Sequence, residues 1–163
     1  MRSTEPGPPP AATTSYAAPI AHPRFTWPVR IYYEDTDAGG VVYYANYLRF
    51  FERCRTEWMR ELGFGQSALA AQAGVIFVVA SAELRYLRPA RLDDELLIDA
   101  CVVERYASYV VFEQQAWRGE QLLCRGKFKV ACVDAQTLRP TRLPETLNKG
   151  LPAVNPILPA SPA

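Results

Sequence analysis

Fourteen prolines divide this chain of 163 residues into three parts: seven lie between Pro6 and Pro28, six between Pro140 and Pro162, and Pro89 alone lies in between. Proline fixes φ and donates no backbone hydrogen bond, so long helices and paired strands are confined to the proline-poor middle. Residues 1–25, rich in Pro and Ala and without a hydrophobic period, are expected to form a disordered leader. Residues 140–163 are expected to be a Pro-rich tail of the same kind. One folded domain is therefore placed at 26–139, an ordinary size for a single core.

Inside that domain the order of elements is legible. Residues 26–33 read as a short strand and 34–40, EDTDAGG, as a turn. From about 45 to 62, Tyr47, Phe50, Phe51, Cys54, Trp58 and Leu62 recur at helical spacing. Arg49, Glu52, Arg53, Arg55, Glu57, Arg60 and Glu61 are expected to form the opposite, charged face of this helix, which Gly63 ends. A shorter helical piece near 66–73 precedes four strand-like runs at 75–87, 94–106, 109–118 and 121–133. Their short connections predict a four-strand antiparallel meander, with the long helix covering one face in an α+β architecture.

Composition removes several chemistries. A net charge of +1 gives no bulk electrostatic reason for a nucleic-acid partner. No run is apolar enough for a membrane span and the N-terminus lacks a signal-like apolar stretch, so a cytoplasmic protein is expected. The one histidine, His22, sits in the leader, a poor place for the imidazole of a nucleophilic triad or a zinc site. Cys54, Cys101, Cys124 and Cys132 form no C-x-x-C pair and fall in apolar runs, so neither a metal nor a disulfide framework is expected. Catalysis, if present, falls to a carboxylate and the backbone.

The run VRIYYEDTDAGGVVYYANYLRFFERCRTEWMR, residues 29–60, has the parts for it. Asp35 and Asp37 lie on a strand-to-loop turn, Gly39 and Gly40 follow, and then the helix begins. Glycines permit close approach to a ligand, and a helix start offers unpaired N–H groups to a carbonyl oxygen or oxyanion. A carboxylate beside such donors is the minimum for acyl transfer. The plainer alternative is that these aspartates only shape the turn by bonding their own backbone.

YYEDTDAGGVVYYANYLRFFERCRTEW strongly resembles the opening segment of hotdog-fold acyl-CoA thioesterases, above all the group encoded with the bacterial tol–pal envelope system, which is similar to 4-hydroxybenzoyl-CoA thioesterase. YLRPARLDDELLI, Tyr86–Ile98, resembles that family's second-to-third strand connection, and the likeness runs from about Pro28 to Asp134. It implies a hotdog fold, a long central helix wrapped by an antiparallel sheet of about five strands. It implies hydrolysis of acyl-CoA thioesters without a cofactor or metal, in a homodimer or homotetramer whose site lies between protomers. The family's catalytic aspartate falls on Asp37, as general base or nucleophile, and its oxyanion N–H on Tyr44. Many tol–pal members carry histidine where this chain has Tyr44, a departure that leaves the backbone donor in place.

Other residues are weaker candidates. Glu52, two helical turns beyond Tyr44, is a candidate contact for a polar acyl group, against a solvated charge. Arg125, Lys127 and Lys129 alternate on one strand face and are candidates for coenzyme A phosphates, as are Arg85, Arg88 and Arg91 around Pro89. The carrier is coenzyme A or acyl carrier protein. A hotdog dehydratase would need a histidine outside the leader. A non-catalytic acyl-thioester binder or envelope-complex partner of the same fold is the alternative from another class.

Overall fold

A computed structural model describes residues 24–152. The expected leader up to residue 23, with His22, and the tail from residue 153 lie outside the described residues. Strand β1 (Phe25–Arg30) leads through a single 3-10 turn (Tyr33–Asp35) to helix α1 (Asn46–Glu61) and helix α2 (Gln66–Ala73). Strands β2 (Val75–Tyr86), β3 (Glu95–Arg105), β4 (Tyr109–Arg118) and β5 (Gln121–Asp134) follow, then helix α3 (Glu145–Gly150). The five strands form one antiparallel sheet in the order β1-β3-β4-β5-β2.

That order corrects the expected meander. β2 does not neighbour β3; it pairs with β5 at the far edge, from Val75 opposite Asp134 to Tyr86 opposite Cys124. The connection of residues 87–94 is long enough to cross the end of the sheet, and it is pinned on the way by Leu87 N–H and Arg88 N–H, which both donate to the Leu123 carbonyl. The crossing delivers Ala90 and Arg91 to the loop after β1: Val42 N–H donates to the Ala90 carbonyl at 2.9 Å.

The sheet wraps α1 as its periodicity requires. Tyr47, Phe50, Phe51, Cys54, Trp58 and Met59 are buried against Ile98, Phe112, Phe128 and their neighbours. Phe51 stands 5.4 Å from the Phe128 ring and Trp58 6.0 Å from that of Phe112, centroid to centroid. Each buried aromatic of this size contributes roughly 1.5–3 kcal/mol. Gly126 makes this packing possible, because a Cβ there would stand 2.6 Å from the Phe128 ring.

One member of the expected charged face of α1 belongs elsewhere: Arg55 is 8% exposed. It lies four residues after Phe51 and three before Trp58, inside the apolar stripe. Its Nη1 donates to Gln114 Oε1 at 2.6 Å and its guanidinium lies over the Phe128 ring at 4.7 Å.

The folded part also runs past the expected end at 139. Leu143, Leu147 and Leu151 recur every four residues and all three join the core, with α3 between Pro144 and Pro152. Proline at the entry to a helix does not break it, so proline density alone misplaces this boundary. Leu147→Ala is expected to cost about 2–3 kcal/mol, the low end for a buried leucine because a short terminal helix can relax. Urea denaturation of the full chain measures it.

Candidate functional site

The loop between β1 and α1 is closed by its own backbone. Asp37 N–H donates to the Val41 carbonyl at 3.0 Å, Gly40 N–H returns to the Asp37 carbonyl at 3.0 Å, and Thr36 bridges Val42. Gly40 turns the chain with φ of 71°, a left-handed conformation that suits glycine. At Gly39 the reason is space: a Cβ would stand 3.1 Å from Asp37 Oδ1, which accepts the Gly39 N–H at 2.8 Å. Arg91 Nη1 reaches the Gly40 carbonyl from the crossover at 3.4 Å.

The two aspartates have different tasks. Asp35 is buried and structural: its Oδ2 accepts the Tyr32 N–H, and its carbonyl accepts both the Tyr43 N–H and Asn46 Nδ2, each at 2.9 Å. Asn46, which residue-type reasoning passes over, thus ties the loop to the first residue of α1. Asp37 is exposed. Its Oδ1 shapes the turn, as the plainer reading has it, and its Oδ2 makes no hydrogen bond among the described residues.

The loop ends at the start of α1. No side chain caps this helix, and no acidic residue lies in its first turn. Among the described residues the Tyr44 N–H finds no backbone acceptor. An uncapped helix start with a free N–H is where an oxyanion is stabilised. The Tyr44 ring lies at 4.7 Å from Tyr43 and 6.3 Å from Tyr86, and Tyr86 Oη donates to the Tyr44 carbonyl at 3.0 Å. The Tyr43 phenol is held above its ordinary pKa, first by its hydrogen bond with the Tyr44 phenol and least by the charge of Asp37. A cleft of about 280 Å3 opens here between Tyr44, Tyr47, Tyr86 and Arg88. Tyr47, at its floor, has its phenol pushed up to about 12 by burial.

Asp37 and Tyr44 both lie on the loop between β1 and α1, and the other expected residues are not part of this loop. Glu52 lies on the exposed side of α1, accepts the Thr56 hydroxyl at 2.7 Å, and borders a separate cavity. Arg125, Lys127 and Lys129 do share one face of β5, but that face is mixed in charge. Lys127 sits between Glu83 and Glu113 in register and pairs with Glu104 at 3.0 Å, and Lys129 lies over the Tyr109 ring at 4.1 Å. Of the two cation clusters, the one around Pro89 is the one that touches the Asp37 loop. Among the described residues no group of His, Cys, Asp and Glu is arranged to hold a metal.

All four cysteines are free and buried. Burial pushes the thiols of Cys54 and Cys124 up to about 12 and that of Cys132 to about 11, and raises Cys101 as well. Since the thiolate is the reactive form, the native protein is expected to react slowly with a disulfide reagent near pH ~8. All four thiols should appear promptly in denaturant.

An antiparallel five-strand sheet wrapped around a central helix is the hotdog architecture, and comparison with known proteins agrees on that fold. The thioesterase-like superfamily profile matches residues 32–151, and the chain belongs to that family. It is a thioesterase. It is 46% identical over 121 residues to the acyl-CoA thioesterase YbgC of Haemophilus influenzae, covering 74% of this chain and 89% of that protein. It is also 46% identical over 124 residues to the acyl-CoA thioester hydrolase YbgC of Escherichia coli O6:H1, covering 76% and 92%. Among solved structures, one described as a probable thioesterase from Bartonella henselae superposes with a TM-score of 0.72 at 36% identity, over 75% of this chain and 100% of that one. No helix among the described residues is long and apolar enough to cross a membrane.

Proposed function

We propose that this chain hydrolyses acyl-CoA thioesters to free acid and coenzyme A, with Asp37 as the acting carboxylate and the Tyr44 N–H as oxyanion donor. What supports the reading is that one closed loop carries both Asp37, whose Oδ2 makes no hydrogen bond among the described residues, and the Tyr44 N–H, which finds no backbone acceptor among them. The thioester carbonyl oxygen rests on that N–H. Asp37 then takes a proton from a water that adds to the carbonyl carbon, or adds itself to give a mixed anhydride that water opens. Either way the C–S bond breaks and the thiolate leaves without a dedicated acid, in keeping with a loop that holds no histidine. Arg88, which lines the cleft beside Tyr44, and Arg91, which reaches the loop at Gly40, are the cations assigned to the phosphates of the carrier.

The reading extends to assembly and place. β2 is a long edge strand with Val78 and Val79 exposed, and Tyr43 and Tyr44 are exposed at the site, surfaces that suit a homodimer or homotetramer. We place the enzyme in the cytoplasm, with the tol–pal group as its setting. The test is release of coenzyme A thiol from short aliphatic, long aliphatic and benzoyl esters by the full chain. Turnover of one class establishes the reading and its acyl preference. Binding without turnover of any ester would favour the non-catalytic alternative.

A further inference from the structure

Between Asp35 and Asn46 only Val42 is buried, so the loop that carries Asp37 and Tyr44 is shaped by hydrogen bonds and not by a core of its own. Its two arms run side by side, with Asp35 joined to Tyr43, Thr36 to Val42 and Asp37 to Val41. Both arms are held by Asn46, the first residue of α1. On one arm, the Asn46 backbone N–H donates to the Tyr43 carbonyl at 2.9 Å. That carbonyl belongs to the same planar peptide as the Tyr44 N–H, and in a trans peptide the two point in opposite directions. Holding the one therefore aims the other. On the other arm, Asn46 Nδ2 donates to the Asp35 carbonyl at 2.9 Å, two residues before Asp37. Tyr86 Oη grips the Tyr44 carbonyl, but that group lies in the next peptide and does not aim the Tyr44 N–H.

Asparagine at a helix start ordinarily turns its side-chain oxygen to the N–H groups of that helix. No side chain caps α1, and the Asn46 amide is used as a donor to the loop instead. Asn46 is itself buried, and Tyr47, Phe50 and Phe51 behind it seat α1 in the core. Its bonds thus tie an exposed loop to a packed helix. We infer that Asn46 is a positioning residue for thioester hydrolysis, a role that rests on the reading proposed for Asp37 and Tyr44. Its side-chain amide and its backbone N–H hold the Asp37 arm and the Tyr44 N–H in one fixed relation. The role needs a donor of this shape. An ionised aspartate would turn an acceptor oxygen toward the Asp35 carbonyl and repel it, and alanine would leave that carbonyl with the Tyr43 N–H alone.

Asn46→Asp and Asn46→Ala test it in the full chain, beside wild type and Asp37→Asn. The substrate is whichever aliphatic or benzoyl-CoA ester the wild type turns over fastest, and the assay runs well below every melting temperature. Both Asn46 variants should lose roughly 10–100-fold in kcat near pH ~8 with KM within about threefold, the pattern of misplaced reacting groups. Burial raises the pKa of a carboxyl, so lowering the pH toward ~5 should protonate the one introduced by Asn46→Asp. Its O–H then donates to the Asp35 carbonyl as the amide does. The kcat of Asn46→Asp relative to wild type at the same pH should recover by about five- to tenfold, while the ratio for Asn46→Ala stays flat. A merely structural loss would move the melting temperature without this recovery in kcat, and the recovery decides the matter even if Asn46→Ala fails to fold. Full kcat in Asn46→Asp near pH ~8, a loss carried by KM, or a ratio that does not change with pH would each overturn the role. Any of these beside an inactive Asp37→Asn leaves the hydrolytic reading standing. A fully active Asp37→Asn removes that reading and the role of Asn46 with it.

Discussion

Asp37→Asn is expected to lower thiol release from an acyl-CoA ester by about 10²–10⁴-fold, the span of a positioned acid–base group, with the melting temperature unchanged. Asparagine keeps an oxygen where Asp37 Oδ1 accepts the Gly39 N–H, and the backbone bonds of Asp37 to Val41 and Gly40 do not involve the side chain. What disappears is the negative charge and the basic oxygen. Asp35→Ala is the contrasting variant: it removes the acceptor of the Tyr32 N–H from a buried position, so stability and activity should fall together. Tyr44→Phe should retain turnover, because the proposed donor is the backbone N–H. Circular dichroism melts beside the thiol assay separate these outcomes, and an Asn variant of full activity would remove Asp37 from the mechanism.

The site was more legible in the residues than the sheet that carries it. Asp37, Gly39, Gly40 and the start of α1 lie within a few positions of one another, so local chemistry and spacing suffice to place them together. The strand limits were also readable, because hydrophobic runs and turn residues are local. Strand order is not local. Nothing in the run from 75 to 86 states that its partner is β5 rather than β3; that follows from where the crossover is tied, at Leu123 and Val42. Long-range ties also explain Asn46, whose amide acts eleven positions back on the Asp35 carbonyl. Arg55 was readable in principle, since its spacing from Phe51 and Trp58 puts it in the apolar stripe. Residue type argued the other way, as arginine is rarely buried without a partner, and that partner, Gln114, lies on a strand fifty-nine positions away.

Gln114→Leu should therefore be among the most damaging single changes in the core, lowering the unfolding free energy by roughly 3–5 kcal/mol. Gln114 is fully buried on β4; its Oε1 takes the Arg55 bond and its Nε2 donates to the Phe51 carbonyl at 3.0 Å. Leucine is close in volume, so little of the loss comes from a cavity. The Phe51 carbonyl also keeps its helix bond from the residue four positions on. The damage comes from the guanidinium, whose pKa burial already lowers to about 10 and which is still charged at neutral pH. Stranded without Gln114, it retains the face of Phe128 and the attraction of the Glu52 charge. Removing both partners, as in Arg55→Met/Gln114→Leu, should recover most of the loss, because apolar side chains can replace a buried polar pair at little net cost. Urea unfolding of the two single variants and the double variant closes this cycle, and additive losses would mean that Arg55 and Gln114 do not depend on each other.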